Sequence, residues 1–278
     1  MSASTKTGTT VIDGVPWAWE VSGEGPCVCL FHGMLSNRTM WDSVVGKLAG
    51  RYQCITVDWP GHGRSGFDSA GWTAEDLVRG VPALLADVGV ERAVFVGFSQ
   101  GGAISLRVAL SRPDLVAALV TVAAGPAGPG PDGEAWLLQL GKELGAADES
   151  GRRAKLTEFQ ENTHIQGWLQ REPDAAENEL AALSSIVPQA YPLITLLPGK
   201  YVSVEDELGG ITCPAMVVFG AQDASGYWGP RMVERMPAAR LAVIEDAGHH
   251  VPLDAPAEFQ RVLAGFLDDL TLPGCIGK

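Results

Sequence analysis

Ser99 stands in Gly97-Phe98-Ser99-Gln100-Gly101, directly behind the apolar run Ala93 to Phe98 and directly ahead of a helix-forming stretch that reaches Ser111. A serine in such a strand-to-helix turn is driven into a strained backbone conformation that pushes its hydroxyl clear of both elements. Gly97 and Gly101 flank it where a Cβ would clash across the turn. The helix behind the serine aims unpaired N–H groups and the positive end of its dipole at charge developing near the hydroxyl. That is what a nucleophile needs.

A serine hydroxyl attacks only when a base takes its proton and a third group orients the base. In a strand–turn–helix setting the order along the chain is serine, acid, histidine. Three histidines lie downstream, His164, His249 and His250. His164 falls in a polar, helix-prone stretch that makes a poor rigid mount. His249 sits in Asp246-Ala247-Gly248-His249-His250-Val251-Pro252, after one expected strand and before the last helix. The glycine ahead of it selects His249 as the base and leaves His250 as a solvated or packing neighbour. For the acid, Val217-Val218-Phe219-Gly220-Ala221-Gln222-Asp223 puts a carboxylate in the turn after a buried strand. Asp223 is the only carboxylate in that turn. An oxyanion needs two backbone donors, and the N–H groups of Gln100 and of Met34, after His32-Gly33, are placed to supply them.

Short apolar runs alternating with helical patterns must position these residues, the signature of a mainly parallel sheet covered by helices. The spacing predicts a hairpin from Thr10 to Asp13 and Trp17 to Val21 across Gly14. Strands follow at Cys27 to Phe31, Gln53 to Asp58, Ala93 to Phe98 and Leu115 to Val122. Thr73-x-x-Asp76 opens a helix to about Val88 as a near capping box. Then the rhythm breaks. Gly125 to Pro131 is rich in glycine and proline, and the chain from about Gly133 to Glu207 has no strand runs. Strands resume at Ala215 to Phe219 and Arg240 to Ile244, and a last helix spans Pro256 to Leu267. The expected organisation is an α/β core of residues 1–125 and 209–278, interrupted by a helical lid of residues 126–208. Trp59, Trp136, His164 and Trp168 are candidate substrate-pocket residues.

The landmarks His32-Gly33, Asp58-Trp59-Pro60-Gly61-His62-Gly63-Arg64-Ser65, the Gly97–Gly101 elbow, Gly220-Ala221-Gln222-Asp223 and Gly248-His249 cover nearly the whole chain. In that order they resemble the α/β-hydrolase fold with a helical lid inserted after strand 6, as in carbon–carbon bond hydrolases, enol-lactonases, epoxide hydrolases and esterases. The resemblance implies a mainly parallel eight-stranded sheet flanked by helices. It also implies Ser99 as nucleophile, Asp223 as acid, His249 as base, and Met34 and Gln100 as oxyanion donors. His32 and His62 become structural, His32 shaping the oxyanion loop. Serine at the nucleophile position excludes the ester-linked aspartate chemistry of epoxide hydrolases and haloalkane dehalogenases. Trp59 matches a tryptophan of the cofactor-free ring-cleaving dioxygenases. Those proteins take their acid from the loop after the sixth strand, and Val122-Ala123-Ala124-Gly125-Pro126 carries none.

A net charge of −13 argues against nucleic acid or an anionic membrane as the main partner. The polar N-terminus and the lack of a long apolar run point to a cytoplasmic chain without a membrane span. The five cysteines read as reduced thiols. No His-Glu-x-x-His or paired Cys-x-x-Cys is present, so neither metal nor cofactor is expected. The three prolines of Gly125 to Pro131 rule out a phosphate loop. The expected activity is hydrolysis of a small to medium, largely apolar ester or lactone, with oligomeric state left open. Its rivals are carbon–carbon bond hydrolysis or a non-hydrolytic reaction of a polyketide-like or aromatic intermediate, and a ligand receptor using the same pocket.

Overall fold

A computed structural model describes residues 5–272 of the chain. Eight strands form one sheet in the order β1-β2-β4-β3-β5-β6-β7-β8. β1 (Thr5–Ile12) and β2 (Val15–Ser22) make a hairpin around Asp13-Gly14. Both turn residues have positive φ, which matches the twist of the flanking strands. β1 starts at Thr5 rather than Thr10, because an edge strand exposed along most of its length needs no apolar run to mark it. β2 runs antiparallel to β4 (Gln53–Val57), and every later pairing is parallel.

β3 (Cys27–Phe31), β5 (Ala93–Phe98) and β7 (Ala215–Gly220) are buried along their whole length, and β6 (Val116–Val122) nearly so. Strands buried on both faces read as continuous apolar runs and need cover on each side. That cover comes from α1 (Asp42–Leu48), α2 (Ala74–Asp87) and α3 (Gln100–Ser111), together with helices near the C-terminus. The Thr73–Asp76 capping box forms in both directions, as its spacing predicts.

Between β6 and β7 the chain makes five α-helices: α4 (Gly130–Ala146), α5 (Glu149–Thr163), α6 (Trp168–Arg171), α7 (Pro173–Ser184) and α8 (Tyr191–Leu196). They enclose a core of their own, with Leu144, Leu156, Leu183 and Ile194 fully buried. Into it projects Leu35 from the loop after β3. β8 (Ala239–Ile244) closes the sheet, followed by α10 (Val251–Asp254) and α11 (Pro256–Asp268), while α9 (Trp228–Arg235) links β7 to β8. Among the described residues no single helix is long and apolar enough to cross a membrane. Cys29, Cys54 and Cys213 are free thiols, but Cys27 is disulfide-bonded, which corrects the reading of reduced thiols at that position.

Candidate active site

The turn from β5 into α3 holds Ser99 at φ 49° and ψ −114°. Non-glycine residues rarely occupy this region, and such strain persists only where the surroundings enforce it. Here Ser99 N–H donates to Val122 O at 2.8 Å and Ser99 O accepts from Ala103 N–H at 3.0 Å. A Cβ on Gly97 would run into the Gly101 carbonyl, so the turn closes only with glycine there. Gln100 is the first residue of α3, where a backbone N–H has no partner within the helix.

His249 and Asp223 converge on this serine from two other strand ends. His249 Nε2 lies 3.0 Å from Ser99 Oγ, and His249 Nδ1 lies 3.0 Å from Asp223 Oδ2. Gly220, at the end of β7, has no room for a side chain because the Gly248 carbonyl packs against it. That close backbone approach brings the acid turn and the histidine loop side by side. The other oxygen of Asp223 accepts from Ser225 N–H at 2.9 Å and from Ser225 Oγ–H at 2.8 Å. Burial alone would raise the Asp223 carboxyl; the bond and charge of His249 and the two Ser225 donors outweigh it and hold the group below its ordinary range.

The loop after β3 forms the other wall. A Cβ on Gly33 would stand 3.1 Å from Cβ of Ser99, so this loop lies against the serine, and Met34 and Gln100 both line the cavity. Leu35 follows at φ 51° with its side chain completely buried in the helical insertion. Packing therefore keeps a conformation that leucine seldom adopts. His32 braces the loop: its Nδ1–H donates to Gly33 O at 2.7 Å and its Nε2 accepts from Trp59 N–H at 3.0 Å. Burial lowers the pKa of His32 to about 4, so it stays neutral. His62, in the tight turn beyond, is lowered to about 3 by burial and by His32.

These groups open on a cavity of about 750 Å³ whose walls include Phe98, Leu137, Phe159, Tyr201 and Trp228. Of the expected pocket residues, the structure brings Trp136 and His164 to the wall and leaves Trp59 and Trp168 away from it. Trp59 is fully buried, stacked on Phe31, with its indole N–H on His32 O at 2.9 Å. Trp168 stacks on His164 at 3.7 Å and donates to Leu253 O at 3.2 Å. Both indoles are consumed by packing and one internal hydrogen bond, so neither faces a ligand. The His164 ring is likewise engaged, between Asp254 and Glu179, and His250 is buried beside it rather than solvated. Burial would lower the His164 pKa, but the two carboxylates raise it. Sequence reasoning missed Ser225, Leu35, Glu179 and Asp254. Only Ser225, two residues past the acid, carries a local signal.

A family model described as the alpha/beta hydrolase family matches residues 28–262. A pimeloyl-[acyl-carrier protein] methyl ester esterase of Yersinia pseudotuberculosis is 26% identical over 266 residues, covering 90% of this chain and 97% of its own. Among solved structures, a thermophilic esterase from Thermogutta terrifontis superposes with a TM-score of 0.86 at 21% identity, over 95% of this chain and 98% of the other. The enol-lactonase from Burkholderia xenovorans LB400 gives 0.85 at 19% identity, over 94% and 100%. The match spans the serine elbow, the acid turn and the histidine loop together, and the chain belongs to the alpha/beta hydrolase family.

Proposed function

We propose that this chain is a serine hydrolase of a small to medium, largely apolar ester or lactone. The observation that carries the reading is the unbroken relay from Ser99 Oγ through His249 to Asp223, at 3.0 Å and 3.0 Å, on the wall of an apolar cavity. His249 Nε2 takes the Ser99 proton as Oγ attacks the carbonyl carbon, and Asp223 stabilises the imidazolium that forms. The N–H groups of Met34 and Gln100 receive the oxyanion, and losing one such donor typically costs about a hundred- to a thousandfold in rate. The imidazolium returns its proton to the leaving alcohol, leaving Ser99 acylated. Water, deprotonated by His249, then releases the acid and restores the serine. Residues 126–208 act as the lid that shapes the acyl pocket.

The names of the relatives support the ester and lactone classes. Among the described residues the cavity lining includes no lysine or arginine, which favours a neutral substrate over a carboxylate. The net charge of −13 speaks against docking of an acidic carrier protein and for a free small molecule. The test is a panel of acyl esters, lactones and vinylogous diketones on the wild type and on Ser99→Ala, with fluorophosphonate labelling in parallel. Wild type turns over an ester or lactone and is labelled at Ser99, and Ser99→Ala loses both. Labelling that persists in Ser99→Ala, or turnover confined to the diketones, overturns the proposal.

A further inference from the structure

Behind the His249 loop lies a buried cluster that the hydrolytic reading does not use. His164 follows α5, Glu179 belongs to α7, and His250 and Asp254 belong to the histidine loop and α10. His164 Nε2 is 2.9 Å from Glu179 Oε2, and His250 Nδ1 is 2.9 Å from Glu179 Oε1. On its other side His164 Nδ1–H donates to Asp254 Oδ1 at 2.6 Å. The other oxygen of Asp254 accepts from Gly248 N–H at 2.8 Å. Gln160 Nε2 donates to Glu179 Oε2 at 2.7 Å.

We propose that His164, Glu179 and His250 bind one divalent transition-metal ion of the zinc class, fastening the helical insertion to the loop that carries His249.

Ligand chemistry is the first support. Two imidazoles and one carboxylate suit zinc, whereas calcium and magnesium select all-oxygen sites. The three ligand atoms lie within 4.8 Å of one another. Zinc–nitrogen and zinc–oxygen bonds of about 2.0–2.2 Å put tetrahedral ligands about 3.3 Å apart, a few tenths of an ångström beyond the 2.9 Å between each histidine nitrogen and its nearest Glu179 oxygen. Water from the cavity, which His164 and His250 both line, supplies the fourth position.

The surroundings are the second support. A metal-bound imidazole usually donates its other N–H to a carboxylate, which fixes the ring and its tautomer. Asp254 already holds His164 in that way. Glu179 and Asp254 form ion pairs with histidines alone among the described residues, with no lysine or arginine beside either. Two buried carboxylates thus face one another's charge without a fixed cation. A proton shared by His164 offsets one of them, and a divalent ion offsets both.

His250 is the third support. Its Nδ1 is buried 2.9 Å from Glu179 Oε1, out of good hydrogen-bond alignment with it. A ring nitrogen and a carboxylate oxygen this close, poorly aligned for a shared proton, can both turn a lone pair on a cation set between them. A bound metal takes the His164 Nε2 lone pair, so any proton held there passes to solvent on binding.

The experiment strips the purified full chain with a chelator, re-adds zinc, and measures metal by mass spectrometry after gel filtration. Thermal scans with and without chelator run alongside. Wild type is expected to retain one zinc per chain and to melt higher with it. Cobalt(II) in its place should give the visible absorption of a tetrahedral site. His250→Gln and Glu179→Gln should retain none, with a melting temperature indifferent to zinc. Wild type that holds no zinc above buffer and melts identically with chelator overturns the proposal, leaving the four groups as a hydrogen-bonded network alone. Zinc kept by both variants at the wild-type ratio overturns it as well, by placing the ion elsewhere. The wild-type measurement decides even if a variant fails to fold.

Discussion

Replacing Asp223 by asparagine keeps the shape of the side chain and reverses the logic of the site. In the native chain one carboxylate oxygen faces His249 Nδ1 and the other accepts two donors from Ser225. An asparagine has a single acceptor oxygen to share between these sides. The Ser225 hydroxyl can turn round and accept, but the Ser225 N–H at 2.9 Å can only donate. Facing it with the amide NH2 loses a hydrogen bond and leaves a buried donor unpaired, a cost of about 2–3 kcal/mol. The oxygen therefore stays on Ser225, and the NH2 group faces His249. His249 Nδ1 must then accept, which moves the ring proton to Nε2, where it blocks removal of the Ser99 proton. The productive tautomer falls by about two powers of ten, since each 1.4 kcal/mol is tenfold. Loss of the negative charge beside the developing imidazolium takes roughly two more, for a total near 10⁴ in kcat/KM. Steady-state hydrolysis of a chromogenic ester, with the fluorophosphonate labelling rate as a second readout, measures it. An Asp223→Asn protein that melts like wild type and keeps activity within about tenfold would refute the tautomer argument.

Leu35→Ala removes a side chain wholly buried in the insertion and frees a strained loop next to Met34. It should cost about 2–5 kcal/mol in chemical unfolding and lower kcat more than KM. Gly97→Ala places a methyl against the Gly101 backbone and should either abolish soluble expression or destabilise the fold by about 3 kcal/mol or more, read from the denaturation midpoint. Burial holds His32 and His62 near 4 and 3, while in the unfolded chain both ionise around 6.5. As pH falls from 6.5 toward 4 the unfolded state binds up to two more protons than the fold, so these groups weaken the protein by up to about 2.7 kcal/mol per pH unit. Urea midpoints at several pH values test this, and a midpoint that stays flat from neutrality to pH 5 contradicts it.

The parts legible in the sequence are those whose signal is local. Asp13-Gly14 announces its hairpin, Thr73 and Asp76 their helix start, and Gly97 to Gly101 the elbow, because each conformation is dictated within a few residues. Gly220 and Gly248 flag the acid and base loops, but only the fold shows that Gly220 is glycine because the Gly248 carbonyl presses on it, while Gly248 itself packs against Asp254 and the backbone at 164–165. Leu35 gave no sign of its part, since its partners lie more than a hundred positions away in the insertion. Residue type and setting point Trp59 and Trp168 to the pocket. An indole satisfies its one N–H inside the protein as readily as it greets a ligand, and both do so here. His164 and Glu179 stand 15 positions apart on different helical segments, so no spacing betrays their meeting.

The insertion leaves the sheet after β6 and returns in β7, and these strands are direct neighbours with Val122 opposite Val218. Its two ends therefore meet at one seam, and five helices can be exchanged for others there without shifting the register of any strand. A second set of ties makes such an exchange less free than the seam suggests. His249 N–H donates to Thr163 O at 3.2 Å, and Asp254 holds both Gly248 and His164. A foreign insertion would leave the histidine loop without these holds. The smallest transplantable unit is thus a pair, the helices and the His249–Asp254 loop together, and a graft of substrate preference between relatives should carry both.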